Sequence, residues 1–287
     1  MSKLVNCTAY EGGELNINFF ENKIDLKRCC RGKPFYSCSI EEFLKIKDPI
    51  EFSKTFEYLD YSKYANTNFS SKEDNFCHPC FFPKNEIKRV TVGLSYACNL
   101  NCYHCFHDTH KDLPLLKETY INTLYKLKGH NLDEISPTTA GEEFIYYNEI
   151  RDWLKTLTPE DVKKIKHQTN LTLLNREKIL ELKQISNETK VKYFFMPSID
   201  GITKETYEAT RIGGTFEVVM QNLKDLVDIF GPQNVKPSFT IKKTNVLDIQ
   251  NIISFFRNNF GVEIDIGADV YDEFCRTVQP AAYEECK

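Results

Sequence analysis

Cys98, Cys102 and Cys105 lie in one short run, Cys-Asn-Leu-Asn-Cys-Tyr-His-Cys. Thiolates at this spacing can bind three irons of a [4Fe-4S] cube and leave the fourth iron open to a small molecule, whereas the ferredoxin run is spaced differently and fills all four positions. Three thiols can also bind zinc, but a structural zinc site usually takes two pairs of ligands that are far apart in sequence. The spacing therefore favours an iron–sulfur cluster that takes part in a reaction.

The residues just before these cysteines are typical of a β-strand. The run Ile-Lys-Arg-Val-Thr-Val-Gly-Leu-Ser at 87–95 alternates and contains β-branched residues, which predicts a strand that leads into the cysteine loop. The loop then lies at the carboxyl end of that strand, which is where α/β folds bind their ligands.

Strand-like and helix-like segments alternate along the rest of the chain. We predict strands over 165–170, 191–199, 235–241 and 262–266, and helices over 111–128, 146–157, 175–185, 216–230 and 247–260. Six such βα units over about 180 residues predict an α/β fold, a partial (β/α)6 parallel barrel. The loops after its strands would form the active end.

The cysteine run resembles that of the radical S-adenosylmethionine (radical SAM) enzymes, whose pattern is C-x3-C-x-aromatic-C. His104 takes the aromatic position. In that family the open iron chelates SAM, and an electron from the cluster cleaves SAM to a 5′-deoxyadenosyl radical. The resemblance covers residues 88–270, implies a [4Fe-4S] cluster and SAM as cofactors, places His104 near the adenine, and implies a small flavodoxin- or ferredoxin-type protein as reductant.

A second part of the resemblance is the run Thr-Ala-Gly-Glu at 139–142. It is similar to the family's Gly-Gly-Glu motif, which receives the amino group of SAM, so Ala140, Gly141 and Glu142 are predicted to bind the cofactor. Alanine replaces the first glycine. Because alanine resists positive φ, we expect the turn either to differ slightly or to need no left-handed residue there.

A third part is the run Ser-Ile-Asp-Gly at 198–201, which looks like the family's S-x-D-G segment. The resemblance implies that Ser198, Asp200 and Arg211 bind SAM, through its ribose and carboxylate, and an arginine fork suits a carboxylate. The alternative is a helix-start serine and a solvated arginine. Thr169-Asn170-Leu171 is similar to the T-N-G turn of the family, again with the glycine replaced.

The first part of the chain is similar to the auxiliary-cluster modules called SPASM and twitch, although most relatives carry them after the barrel. A cysteine, a predicted hairpin, paired cysteines, a helix and a C-x2-C pair follow one another. We therefore divide the chain into an auxiliary module at 1–86 and a barrel at 87–287. A second [4Fe-4S] cluster would be bound by Cys7, Cys30, Cys77 and Cys80, with Cys29 or Cys38 as substitutes. Four thiolates would suit zinc equally well.

Composition limits the other possibilities. The chain has 287 residues, 41% of them hydrophobic, enough for one good core and a small appendage. A formal net charge of −4 gives no basic footprint for nucleic acid. We find no apolar run of about twenty residues and no signal peptide at the start. We expect a soluble, cytoplasmic protein without membrane contact, in which the 11 cysteines serve mainly as metal ligands.

Three hypotheses about function follow. The first is oxidation or cross-linking of a peptide or protein side chain, with the auxiliary cluster as electron acceptor. The second is redox-neutral chemistry on a carbohydrate, by an epimerase or dehydrogenase, in which Cys275 could donate a hydrogen atom. The third is a non-catalytic iron–sulfur or zinc scaffold, for which Ala140 is the best sequence argument.

Overall fold

The structure is a computed structural model that describes residues 13–21, 23–27, 34–56, 87–94, 97–105, 113–138, 140–241 and 246–268. Its strands are β1 (Gly13–Phe19), β2 (Ile24–Lys27), β3 (Tyr36–Cys38), β4 (Ile87–Leu94), β5 (Leu132–Ser136), β6 (Val162–Thr169), β7 (Lys192–Pro197), β8 (Ser238–Ile241) and β9 (Asp265–Ala268). Its α-helices are α1 (Ile40–Leu44), α2 (Pro49–Lys54), α3 (Pro114–Lys126), α4 (Tyr147–Lys155), α5 (Arg176–Thr189), α6 (Lys204–Thr210), α7 (Phe216–Phe230) and α8 (Ile249–Phe260). Short 3-10 helices lie at Glu143–Tyr146, Pro232–Asn234 and Val246–Asp248.

Strands β4 to β9 run parallel and follow one another in chain order. β4 to β7 are hydrogen-bonded neighbours in one sheet, and β8 and β9 form a second parallel pair. Two bridges, Phe195–Val235 and Ser198–Ser238, join β8 to the end of β7. The predicted α/β fold with a parallel sheet is confirmed, and it agrees with a partial barrel.

The N-terminal strands extend this sheet. β1 and β2 form the antiparallel hairpin that the sequence predicted, and β3 pairs with β2. The sequence did not predict that β1 also pairs in parallel with β4 along its whole length. The described part of the predicted auxiliary module therefore shares one sheet with the barrel. The domain boundary near residue 86 stays a prediction.

The predicted N-terminal metal ligands are described only in part. Cys38, at the end of β3, is 6% exposed, and its thiol donates a weak hydrogen bond to the Ile24 carbonyl oxygen at 3.8 Å. Burial raises the pKa of this thiol to about 11. The other predicted residues of this group lie outside the described residues, as does the predicted hydrogen donor: Cys7, Cys29, Cys30, Cys77, Cys80 and Cys275. Their roles, and a second cluster, stay predictions.

One face of the sheet is apolar and packs against helices. On β1 this face carries Leu15, Ile17 and Phe19, all fully buried. The ring of Phe19 meets Phe43 of α1 at 5.7 Å and Tyr120 of α3 at 6.0 Å between centroids. Because side chains alternate along a strand, the polar residues between them lie on the opposite face. Helices on one face leave that polar face as the inner surface of the barrel.

Most predicted elements are present, with shifted ends. The helix at 216–230 has the predicted bounds, and the strand predicted from 235 begins at Ser238, after Pro237, which has no N–H to donate. Helix α6 was not predicted, although Thr203 and Thr206 form a capping box at its start. Among the described helices, none is long and apolar enough to cross a membrane.

Candidate functional site

The cysteine loop follows β4 directly, at the carboxyl edge of the sheet. Cys102 is buried, Cys98 is half-buried and Cys105 is exposed, and no disulfide joins the described cysteines. The Leu100 N–H donates to Cys98 Sγ at 3.4 Å. Burial raises the pKa of the Cys98 thiol to about 11, so this thiol stays protonated at neutral pH until a metal replaces the proton.

The spacing of the sulfurs distinguishes between kinds of metal site. Within the described residues, the groups that bring three potential ligand atoms within 4.8 Å of one another do not include the three cysteines of the loop. A single zinc ion with sulfur ligands at about 2.3 Å would hold them about 3.8 Å apart. The sulfurs of Cys98, Cys102 and Cys105 are therefore not arranged around one tetrahedral zinc position in this structure.

The Ala140–Gly141–Glu142 loop after β5 is bound to the cysteine loop through the backbone. The Leu94 N–H donates to the Ala140 carbonyl at 2.9 Å, and the Glu142 N–H donates to the Ala97 carbonyl at 2.8 Å. Gly141 has a φ of +80°, and a Cβ there would overlap the carbonyl oxygens of Leu94 and Ala97. Ala140, in the position of the family's first glycine, takes part in this pairing through its carbonyl oxygen.

The Glu142 carboxylate joins this loop to the end of β6. It is fully buried and accepts hydrogen bonds from the Thr169 hydroxyl at 2.9 Å, the Asn170 N–H at 2.6 Å and the Phe144 N–H at 3.2 Å. Burial raises its pKa to about 7, although the donated hydrogen bonds oppose the shift. Both carboxylate oxygens are thus occupied by protein groups.

Asn99 and Asn170 make a contact beside Cys98 that the sequence did not predict. The Asn170 amide donates to Asn99 Oδ1 at 2.9 Å and points to Cys98 Sγ at 3.8 Å, while the Asn99 amide donates to the Thr172 hydroxyl at 2.8 Å. Leu171 takes the left-handed conformation, with a φ of +65°, where the family turn has glycine. The resemblance of this turn was the available signal, but it did not reveal the contact with Asn99.

Three of the residues predicted to bind the cofactor meet on the other side of the loop. Arg211 Nη2 lies 2.7 Å from Asp200 Oδ2, Arg211 Nη1 donates to Cys102 Sγ at 3.5 Å, and His104 Nε2 lies 3.4 Å from Asp200 Oδ2. The Thr240 N–H donates a hydrogen bond to Asp200 Oδ1 at 2.7 Å. Asp200 is 2% exposed and the Arg211 side chain 12%, so the alternative of a solvated arginine is wrong.

Arg211 and Cys102 stabilise each other's charged forms, and Asp200 also stabilises that of Arg211. Burial disfavours the charged form of Arg211, but Asp200 and Cys102 outweigh that effect and raise the pKa of the guanidinium. Burial also raises the pKa of the Cys102 thiol, while Arg211 opposes that shift. A fixed cation beside a sulfur favours its thiolate form, which is the form that binds metals.

The chain after α6 completes the frame of the cysteine loop. The Asn101 N–H donates to the Ile212 carbonyl at 2.9 Å and the Tyr103 N–H to the Thr210 carbonyl at 3.0 Å. Ser198 lies just past β7, where its N–H donates to the Thr169 carbonyl at 2.8 Å. The structure thus gathers His104, Asp200 and Arg211 around the loop and places Ser198 at the same edge of the sheet.

Comparison with known families agrees with this geometry. The profile described as the Radical SAM superfamily matches residues 92–256, more than half of the chain. The chain belongs to the radical SAM superfamily. Membership implies a [4Fe-4S] cluster and SAM as cofactors, and the cysteine loop is where this chain would bind them. The SPASM or twitch subgroup stays a prediction.

Two curated relatives carry the name probable GTP 3′,8-cyclase. The one from Methanococcus aeolicus is 28% identical over 188 residues, covering 63% of this chain and 59% of the relative. The one from Methanocaldococcus jannaschii is 25% identical over 191 residues, covering 64% and 57%. The aligned region spans less than three fifths of either relative.

Solved structures of the protein called anSMEcpe are also similar. One, with bound AdoMet, has a TM-score of 0.46 and 16% identity, covering 63% of this chain and 51% of that one. Another, with AdoMet and a peptide called Cp18Cys, has a TM-score of 0.45 and 15% identity, covering 63% and 50%.

Proposed function

We propose that this radical SAM protein uses a cluster held by Cys98, Cys102 and Cys105 to cleave SAM and to abstract hydrogen from a small polar substrate. When bound, the cluster supplies the electron that breaks the sulfonium bond. The observation that carries the proposal is the position of the cysteine loop between the Glu142 loop and the Asp200–Arg211 pair. Both lie at the carboxyl edge of the sheet, where parallel barrels bind substrates.

The residues of the chain have separate tasks in this proposal. Arg211 stabilises the thiolate of Cys102, and its buried Nε makes no hydrogen bond among the described residues, so that atom can donate to a bound acceptor such as the SAM carboxylate. Asp200 holds the arginine in place. His104 and Ser198 are proposed to contact the adenine and the ribose, since both lie at the same edge.

The polar side chains on the inner surface of the barrel support the proposal that the substrate is polar. Its middle positions carry an amide, hydroxyls and an ammonium group, from Asn16, Thr91, Ser136 and Lys166. The names of the curated relatives, both probable GTP 3′,8-cyclases, support a nucleotide as the first substrate to test. Redox-neutral work on a carbohydrate remains the related alternative, and Cys275 as its hydrogen donor remains a prediction.

The peptide hypothesis depends on a second cluster. Its support is the order of cysteines in the first part of the chain, whose members other than Cys38 lie outside the described residues. A Cys98/Cys102/Cys105→Ala variant separates the cases after anaerobic reconstitution. About four irons retained per chain would support an auxiliary cube and substrate oxidation. Zinc without iron would reduce the module to a structural site.

The scaffold hypothesis, whose best sequence argument is Ala140 in place of a glycine, stays a prediction. The predicted reductant, a flavodoxin or ferredoxin type of protein, stays a prediction, as do the cytoplasmic location and the lack of nucleic-acid partners.

The test is a turnover assay with the reconstituted protein. SAM, dithionite and GTP are incubated without oxygen, and 5′-deoxyadenosine and nucleotide products are measured by mass spectrometry. We expect 5′-deoxyadenosine to form together with a modified nucleotide, and neither to form with Cys98→Ala. If 5′-deoxyadenosine forms while GTP is unchanged, the proposal of GTP as substrate is wrong, whereas the proposal of SAM cleavage is supported.

A further inference from the structure

The inner face of the sheet places residues of the N-terminal strand beside those of the barrel. Asn16 of β1 pairs with Thr91 of β4, and Thr91 pairs with Ser136 of β5. Ser136 donates to the Lys166 carbonyl of β6 at 3.0 Å. Because paired residues in a parallel sheet share a face, these side chains form one row across four strands. β1 therefore contributes side chains to the same surface as the barrel strands.

Asn16 has an unused donor in this row. The residue is 4% exposed, and its Nδ2 makes no hydrogen bond among the described residues. Asn16 lies near enough to Glu14 to lower the pKa of that carboxyl, which burial raises, but the amide does not have the geometry of a hydrogen bond to it. An unsatisfied buried donor lowers the stability of the unliganded protein. A bound molecule with an acceptor atom at this position would remove that cost.

The neighbouring position keeps space open for a second amide. Asn18 lies opposite Gly93 of β4, and a Cβ at Gly93 would lie only 2.6 Å from Asn18 Oδ1. The absence of a side chain at Gly93 lets the Asn18 amide lie across β4, at the level just below the cysteine loop. Two amides of β1 thus face the region where the cluster would act.

Lys166 supplies a positive charge in the same row. Its ammonium acts on Glu14 but forms no ion pair within the described part of the chain. In the row below, by contrast, Lys164 is paired with Glu134 at 2.6 Å. Asn16 and Lys166 are three strands apart, which separates them by up to about 14 Å along the sheet. A nucleotide can reach both.

We propose that β1 is part of the substrate site, where Asn16 Nδ2 donates to a neutral oxygen of the substrate and Lys166 binds its anionic group. The substrate is then a phosphorylated, hydroxyl-rich molecule such as a nucleotide or a nucleotide sugar. This inference rests on the proposed function, because it assigns the substrate of the same site.

The experiment measures binding of GTP and of UDP-glucose to the reconstituted protein by anaerobic equilibrium dialysis, together with the Tm. The variants are Asn16→Leu and Lys166→Met, with Asn187→Leu on α5 and Lys224→Met on α7 as controls at exposed positions. We expect Asn16→Leu to weaken binding about fivefold and Lys166→Met about tenfold or more. The control variants should bind as the wild type does.

The Tm distinguishes a binding role from a structural one. Asn16→Leu removes an unsatisfied buried donor, so we expect the Tm of the unliganded protein to rise by about 2–4 °C. A small rotation would let the Asn16 amide donate a hydrogen bond to the Glu14 carboxylate instead. In that case Asn16→Leu lowers the Tm and leaves nucleotide affinity unchanged, which overturns the proposal.

The other outcomes are also decisive. Tighter binding of GTP than of UDP-glucose, or the reverse, identifies which kind of nucleotide the site takes. A wild-type protein that binds neither at up to about 1 mM overturns the assignment of the inner face. That result leaves SAM cleavage, and with it the proposed reaction, to the separate assay of 5′-deoxyadenosine.

Discussion

The cysteine loop is held in two different ways on its two sides. Towards β5 and β6 the contacts are backbone hydrogen bonds and a buried carboxylate whose oxygens are all occupied, as at Gly141 and Glu142. Towards α6 the loop also makes backbone hydrogen bonds, from Asn101 and Tyr103. On this side the buried charged group is an ion pair, Arg211 with Asp200, and Arg211 also donates to Cys102.

The difference between the two sides suggests that one fixes the backbone of the loop and the other is available to bind a ligand. The Glu142 side has no spare hydrogen-bonding capacity at its carboxylate, so it fixes the path of the backbone. The Arg211 side keeps a buried donor, Arg211 Nε, without a partner among the described residues, and its charge can serve a ligand. We therefore expect changes on the first side to affect folding and changes on the second side to affect cofactor binding.

The largest expected effect is at Gly141. In Gly141→Ala the added Cβ meets two backbone carbonyl oxygens at a positive φ, so we expect the free energy of unfolding to fall by about 4 kcal/mol or more. Urea denaturation of the unliganded protein measures this. A soluble variant with wild-type stability would contradict the rigid role of this side.

Arg211→Met should give the next largest effect. It leaves Asp200 buried without its main countercharge, which typically costs about 3 kcal/mol. Arg211→Lys is the matched variant, because it keeps the charge but not the planar fork. We expect Arg211→Lys to recover most of the stability while SAM binding, measured by dialysis on the reconstituted protein, stays weak. Recovery of both would argue against a specific contact between the fork and SAM.

Glu142 provides a prediction about pH. Its pKa is raised from 4.5 to about 7 by burial, so its stabilising contribution is complete below about pH 4.5 and is lost as the pH rises through 7. The total is about 3 kcal/mol. In Glu142→Gln that part of the fall in unfolding free energy between pH 5 and 8 should vanish, while the exposed control Glu188→Gln should keep it. Identical pH profiles for wild type and Glu142→Gln would exclude this titration.

The smallest expected effect is at Ala140. Ala140→Gly restores the family motif at the cost of a more flexible unfolded chain. We expect a loss of about 0.5–1 kcal/mol and no gain in SAM affinity. A variant that binds SAM markedly better would show that the alanine does impair the site.

Local patterns predicted the parts of this site that are close in sequence. The cysteine spacing and the strand before it each depend on a few adjacent residues, whereas the Gly141 turn was predicted through the resemblance to the family's Gly-Gly-Glu motif. The side of the site near Arg211 was reached through resemblance, since no local pattern pairs Asp200 with Arg211. The pairing of β1 with β4 was not predicted, because strands separated by 67 residues between Phe19 and Ile87 leave no mark of their pairing in either segment.

The contact between Asn99 and Asn170 was missed for a related reason. Asparagine is common in turns, so Asn99 does not stand out in the sequence, and the resemblance of the turn that contains Asn170 does not indicate its partner. Their hydrogen bond exists only because β4 and β6 end at the same edge of the sheet. The buried pair of His167 with Glu143 at 2.9 Å likewise depends on tertiary packing.

The most direct test of the central claim is the formation of 5′-deoxyadenosine from SAM under a strong reductant. The wild-type protein is reconstituted anaerobically, its iron and sulfide are quantified, and it is compared with Cys102→Ala treated in the same way. We predict that the wild type forms 5′-deoxyadenosine and that Cys102→Ala forms none. A wild-type protein that carries a full complement of iron and sulfide, binds SAM and still forms no 5′-deoxyadenosine would contradict the claim.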